Sequence, residues 1–173
     1  MANSDPATSW KTTVIISTTL KNHEISAMLS AQRHRIRFSD EVEPEALIFC
    51  PSGTAFMVIT PQEFPETLEN VKLFEKIEKF VKVHQNCFIL LPAQVYGQKE
   101  WDIVAVIQNR FFGSNLGILP VHKNADMVKG MLTIAKVTSK PYADSVRDRI
   151  SLVRAHLIKH SPAWDMLKGL QSS

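Results

Sequence analysis

Glycine is scarce in this chain, with six among 173 residues: Gly53, Gly97, Gly113, Gly117, Gly130 and Gly169. None falls into G-x-G-x-x-G or a Walker-type loop, which excludes the common phosphate cradles of nucleotide enzymes. Cysteine is scarcer, with only Cys50 and Cys87. Both sit in apolar runs, Leu47-Ile48-Phe49-Cys50 and Cys87-Phe88-Ile89-Leu90, and read as buried thiols of a reducing compartment, not as a disulfide or a metal pair. No G-x-S-x-G elbow is present, and neither cysteine has a context that would activate it as a nucleophile. No apolar run approaches the ~20 residues needed to span a bilayer. The start, Met1-Ala2-Asn3-Ser4-Asp5-Pro6, is polar and lacks a secretory signal, so a soluble intracellular protein is expected.

Metal-ligand spacing is also missing. His84-Gln85-Asn86-Cys87 is a lone H-x-x-C without a second pair, and His156 and His160, four apart, have no glutamate between them. Neither a metal nor another cofactor is expected. The acidic cluster Asp40, Glu41, Glu43 and Glu45 straddles Pro44 and reads as a solvated turn; two-metal nucleases set such carboxylates on rigid strand ends with a lysine beside them.

What the chain does have is a change of character at Pro120. Residues 1–120 carry 11 Lys/Arg against 13 Asp/Glu, net −2, whereas 121–173 carry 9 against 4, net +5. Before the change, strand-like and helix-like segments alternate. Thr12 to Ser17 is β-branched and continuous, as a strand covered on both sides should be. Asn22 is placed to cap a helix bearing Ile25, Met28 and Leu29. Arg35-Ile36-Arg37-Phe38 alternates like a strand with one wet face. Ala46 to Cys50 and Ala55 to Thr60 flank Pro51-Ser52-Gly53-Thr54 and predict a hairpin, hence a mixed sheet.

Leu68, Val71, Phe74, Ile77 and Phe80 predict a helix, widened by Leu73 and Val81, with Glu75–Lys79 and Glu78–Lys82 as i,i+4 pairs. Cys87 to Leu91 is a further buried strand. Trp101, Val104, Ile107 and Phe111 mark a helix ending near Gly113, and Leu116 to Leu119 a last strand ended by Pro120. Strands separated by helices imply a mixed sheet with helices on both faces.

The basic segment reads as helical throughout. Asn124 heads a helix with Val128, Met131, Leu132 and Ala135 inward; Lys140-Pro141 breaks it; Ser161-Pro162 starts another, with Trp164, Leu167 and Leu170 following. The expected organisation is a tail over 1–9, an α/β domain over 10–123 and a small helical domain over 124–173. So small a helical unit buries too little surface to stand alone and should lean on the α/β body or on another protein.

This order of elements resembles the XPF family of structure-specific endonucleases, which join a nuclease-like α/β domain to a helix-hairpin-helix domain. Catalytic members place Gly-Asp on one hairpin strand and Glu-Arg-Lys at the end of the next. Here the second position holds Thr60-Pro61-Gln62, and the matching aspartate is absent. The resemblance implies a degenerate, non-catalytic partner type. Trp10-Lys11-Thr12-Thr13-Val14-Ile15-Ile16-Ser17, Leu20-Lys21-Asn22-His23-Glu24-Ile25-Ser26, His34-Arg35-Ile36-Arg37-Phe38-Ser39-Asp40, Ile118-Leu119-Pro120-Val121-His122 and Thr133-Ile134-Ala135-Lys136 resemble more narrowly the homologues of sporulation protein sixteen.

That resemblance implies a nuclear meiotic crossover factor on chromosomes. It would heterodimerise with a larger XPF-like protein, the shortage-in-chiasmata homologue, hold branched recombination DNA and support synapsis. One departure stands out: Val137-Thr138-Ser139-Lys140-Pro141 and His160-Ser161-Pro162 occupy the hairpins without the glycine that usually lets backbone N–H groups grip a phosphate.

Side chains would then carry DNA contact, and Lys136, Lys140, Arg147, Arg149 and Arg154 are the candidates; singly each also fits a solvated helix face. No aromatic-interleaved platform for reading bases is visible, so sequence-tolerant binding is expected. Trp164, Leu167 and Leu170 are candidates for partner contact, with plugging the small helical core as the alternative. Phe111 and Phe112 adjoin at a helix end, so one faces away if the other is buried, which makes Phe112 a second interface candidate. A protein-only scaffold and a small doubly wound nucleotide-binding enzyme are the competing readings; the missing glycine loop, metal set and nucleophile weigh against the second.

Overall fold

The continuous apolar runs become the inner strands of one sheet, seen in a computed structural model that describes residues 10–50, 52–63 and 71–140. β1 (Thr13–Ser17), β3 (Ala46–Cys50), β4 (Thr54–Val58) and β5 (Cys87–Pro92) are inner; β2 (Arg35–Ser39) and β6 (Leu116–Val121) stand at the edges. The order is β2-β1-β3-β4-β5-β6. β1 is parallel to β2 and antiparallel to β3; β3 and β4 form the expected hairpin; β4, β5 and β6 run parallel. Gly53, with φ +73°, supplies the left-handed residue that the hairpin turn needs. Pro120 does not end β6, which continues to Val121; proline is tolerated there because the strand is an edge.

Strand alternation sorts the core into two layers. Val14, Ile16, Leu47, Phe49, Phe56, Val58 and Leu90 face α1 (Glu24–Ala31) and α4 (124–140), which contribute Ile25, Leu29, Met127, Val128, Met131 and Ala135. Ala46, Ala55, Met57, Ile59, Ile89 and Leu91 face α2 (Val71–Val83) and α3 (Gln98–Arg110), which contribute Leu73, Ile77, Phe80, Ile103, Val104 and Ile107.

Three local expectations shift. The buried stripe of α2 is Leu73, Ile77 and Phe80, spaced four and three, so Phe74 lies at its margin under the Arg110 guanidinium, 5.8 Å from the ring centroid. On α3 the stripe is Ile103, Val104 and Ile107, which leaves Trp101 half exposed against Tyr96. The cap of α1 is His23, not Asn22: its Nδ1 accepts from the Ile25 N–H at 3.2 Å.

Helix α4 is the element that the change of charge at Pro120 obscured. Its stripe of Met127, Val128, Met131 and Ala135 is buried in the same layer as β1 and β3. The Asn124 side-chain amide donates to Glu24 at 2.7 Å at one end, and the Thr138 and Thr54 hydroxyls meet at 2.7 Å at the other. The α/β core therefore runs through residue 140. The remainder of the expected helical domain, with the expected tail 1–9, lies outside the described residues.

Because Met131 is fully buried in that layer, Met131→Ala should destabilise the whole chain by about 2–5 kcal/mol. Urea denaturation followed by circular dichroism checks this; loss of only local helix signal, with the main transition unmoved, would show that α4 does not belong to the core.

Candidate functional site

In open α/β sheets, ligands and catalytic groups gather at the carboxyl ends of the parallel strands. Here that end is a cleft of about 580 Å³ over β4, β5 and β6, bordered by Thr60, Pro61, Gln62, Gln94, Glu100 and His122. Its one carboxylate, Glu100, accepts from the Gly97 N–H at 3.0 Å and so caps α3. His122 places Nδ1 3.2 Å from the Ala93 carbonyl and packs edge-on to Tyr96. Tyr96 hydrogen-bonds the Leu91 carbonyl, and burial raises its pKa above the usual tyrosine value, assisted by nearby Glu100 and opposed by the bond to Val121. Every polar group of this cleft with a described bond is holding the fold.

The acidic residues beside it are likewise engaged. Pro61–Glu63 forms a single tight turn, in which Glu63 accepts from the Thr60 N–H at 2.8 Å. Burial raises the Glu63 pKa; the Thr60 N–H opposes that, while Glu45, close enough to share a hydrogen bond, raises it further. Glu45 pairs with Lys76 of α2 at 3.2 Å, and Glu43 with His84 at 3.1 Å. Of the carboxylates in the loop expected to be a solvated turn, only Asp40 and Glu41 are exposed; Val42 anchors it, Glu45 ties it to α2 and Glu43 to His84 just beyond that helix. Among the described residues no three His, Cys, Asp or Glu side chains gather as a metal site requires.

A different surface is cationic. At the amino ends of β1 and β2, Trp10, Lys11, Thr13, Arg33, Arg35 and Cys50 border an open groove of about 590 Å³, joined by Ser139 from the last turn of α4. The groove is built by His34. The Thr12 N–H donates to its Nδ1 at 3.3 Å, which requires that nitrogen to be unprotonated, and burial with Lys11 nearby lowers the His34 pKa. This bond, with the Trp10 ring edge-on to the imidazole at 5.8 Å, fixes the chain entering β1 against the α1–β2 turn. Lys11 also donates to the Gln32 carbonyl at 2.6 Å. The turn is a Schellman motif, with Arg33 N–H to Ser30 carbonyl at 2.9 Å and His34 N–H to Leu29 carbonyl at 3.3 Å. It puts Arg33 at φ +64°, where glycine is usual.

Of the residues singled out from the sequence, Lys136 and Lys140 are exposed on the last turns of α4, and Ser139 between them reaches the groove. Arg147, Arg149, Arg154, Trp164, Leu167 and Leu170 lie outside the described residues. Phe112 is 92% exposed beside a half-buried Phe111, at the α3 end of a shallow hollow that Leu116 and Ile118 of the free β6 edge also line. Sequence reasoning passed over Lys11, Arg33 and Arg35. The signal was the alternation Arg33-His34-Arg35-Ile36-Arg37, whose charges count only once the bare sheet face beneath them is seen.

Comparison with known proteins finds likeness to this chain in both sequence and fold. The family model described as "Protein SPO16 homolog" matches residues 8–170. The human protein SPO16 homolog is 43% identical over 162 residues, covering 94% of this chain and 89% of the human one. In structure, XPF from Aeropyrum pernix in complex with DNA superimposes with a TM-score of 0.60 at 12% identity, covering 75% of this chain and 66% of that one. XPF from the same organism without DNA gives 0.60 at 11% identity, covering 83% and 73%. The fold is that of XPF nuclease-like domains, and the chain belongs to the family of SPO16 homologues.

Proposed function

We propose that this chain is the non-catalytic subunit of a meiotic XPF-like heterodimer, which binds branched recombination intermediates in the nucleus and promotes crossover formation and synapsis. The observation that supports this is an XPF-type sheet beside whose cleft no metal-holding group of His, Cys, Asp or Glu gathers among the described residues. Thr60-Pro61-Gln62 stands where Glu-Arg-Lys belongs, and Glu45, Glu63 and Lys76 hold each other in place of metal ions. The partner is the larger XPF-like shortage-in-chiasmata homologue. It docks on the Phe112 surface and the β6 edge, where a 92% exposed aromatic beside a shallow hollow is suited to anchoring a protein. Trp164, Leu167 and Leu170 serve the same partner.

DNA contact follows from two supports. The Aeropyrum pernix XPF of this fold was solved with DNA. The stretch 121–173 carries net +5, of which Lys136 and Lys140 are exposed. Lys136, Lys140, Arg147, Arg149 and Arg154 neutralise backbone phosphates, which gives salt-sensitive, sequence-tolerant affinity.

Three outcomes are expected. Phe112→Asp weakens co-purification with the larger subunit at least tenfold, about 1.4 kcal/mol or more, while the chain's own circular dichroism is kept. Charge reversal at Lys136 and Lys140 lowers the affinity of the heterodimer for four-way junctions in gel-shift titration, and flattens its log–log salt dependence by about 1.8, since each lost contact removes about 0.9. Indifference to both reversals would favour the protein-only scaffold.

The third outcome concerns the cleft. A carboxyl whose folded pKa is raised, as for Glu63, adds stability while protonated and loses it as pH rises through the folded value. Glu63→Gln should therefore raise Tm at pH 7, and the gain should fade as pH falls toward 4.5, the ordinary glutamate value. Added Mg2+ should leave the Tm of the unaltered chain unmoved; a metal-dependent rise would mark a working metal centre and overturn the non-catalytic reading.

A further inference from the structure

We infer that the groove bordered by Lys11, Arg33 and Arg35, extended along β2 by Arg37, is a second seat for the phosphodiester backbone of DNA. It lies at the end of the sheet opposite the degenerate cleft. The inference rests on the DNA-binding reading above and assigns it a surface that the basic helical segment does not contain.

Strand register lays the seat out. Across β2, β1 and β3 the residues Arg35, Thr13 and Cys50 stand abreast, and Arg37, Ile15 and Ile48 form the next row. These rows lie on the face that α2 and α3 cover further along the sheet. Ile15 is half-buried at the margin of that cover, and beyond it Arg35 and Arg37 are exposed. Same-face residues of a strand repeat every ~6.6 Å. Arg35 and Arg37 therefore form a line of positive charge, with Arg33 in the turn before them, and not a converging pocket. Among the described residues none of the three makes an ion pair, and no carboxylate borders the groove. A linear cationic run in an open groove without a glycine nest suits an extended polyanion better than a single phosphate metabolite.

Arg33 supplies the second argument. An L-residue at φ +64° is strained, and the Schellman position it fills is usually glycine. Keeping a long cation there costs stability, and the groove is what the guanidinium gains access to. The position also gives a clean variant, because Arg33→Gly removes the charge and relaxes the backbone together.

The test is fluorescence anisotropy of the full chain with a labelled four-way junction and a matched duplex over a range of salt. Arg33→Gly combined with Arg35→Gln should keep or raise Tm, weaken binding to both DNAs about tenfold, and lower the salt slope by about 1.8. Arg35→Lys should restore most of its share. A second readout needs no variant: Cys50 lines the groove while Cys87 is fully buried, so saturating DNA should slow alkylation of Cys50 several-fold. Junction binding that persists in the double variant, falls on Lys136 and Lys140 reversal and leaves Cys50 alkylation unchanged would sink the groove and leave the DNA-binding reading standing. Absence of DNA binding by the unaltered chain, alone and with its larger subunit, would sink both.

Discussion

Coverage of the sheet is the constraint from which the rest follows. Six strands at about 4.8 Å spacing make a sheet about 24 Å wide. Two helices on a face, each needing about 10 Å, cover about 20 Å of it. One face is closed by α1 with α4, the other by α2 with α3. Among the described residues no helix covers the second face at β2, and there the sequence presents Arg35 and Arg37. The position of the basic groove is thus set by how far two helices can reach, and α4 has to belong to the core for the first face to close at all.

At the other end of the strands, the carboxylates beside the cleft are held by contacts within the chain. A metal-binding carboxylate cluster carries mutual repulsion that the ions relieve. Here the cleft-side carboxylates are relieved from within the chain. Glu43 turns to His84, Glu45 to Lys76, Glu100 to the start of α3, and Glu63 to the Thr60 N–H of its own turn. Pro61 in place of a charged residue stiffens the strand exit and presents no donor. The loop and helix ends are pinned by these bonds, so the scaffold needs no ion to hold its form.

Much of this was legible in the sequence because it rests on period and turn chemistry. The β-branched run at Thr12 to Ser17, the hairpin signal at Gly53 and the apolar run at Cys87 each gave the right element, and the hairpin forced a mixed sheet. What was not legible depended on packing. The change of charge at Pro120 suggested a boundary, but charge lies on the outer face of a helix and says nothing of what its inner face covers; Met127 and Met131 decide that α4 closes the α/β core. The spacing on α2 predicts a stripe through Phe74, Ile77 and Phe80 widened by Leu73 and Val81; among the described side chains Leu73, Ile77 and Phe80 are buried and Phe74 and Val81 lie at the margin, because the helix period of 3.6 rewards alternating steps of four and three, while Leu68 and the Val71 side chain lie outside the described residues. Glu43 and Glu45 looked solvated because their partners, His84 and Lys76, are some thirty to forty positions away and meet them only through the sheet. The arginines of β2 were legible as a wet face but not as a groove, since nothing local shows that the neighbouring strands lack a helix above them.

The two surfaces left for function lie at opposite edges of the sheet. Phe112 and the hollow beside it adjoin β6, while Arg33, Arg35 and Arg37 belong to β2 and the turn before it. With β1, β3, β4 and β5 between them, a protein docked at one edge would leave the other open, so the proposed partner and DNA contacts would not compete. Long-range charge adds to this division. The chain up to Pro120 is net negative overall, yet Arg35 and Arg37 of β2 are exposed together with Arg33 in the turn before them, and Lys136 and Lys140 are exposed on the last turns of α4. Charge of this kind acts at long range on polyanions, whereas the β6 edge, with the exposed Phe112 beside it, offers among the described residues a surface for shape and apolar burial.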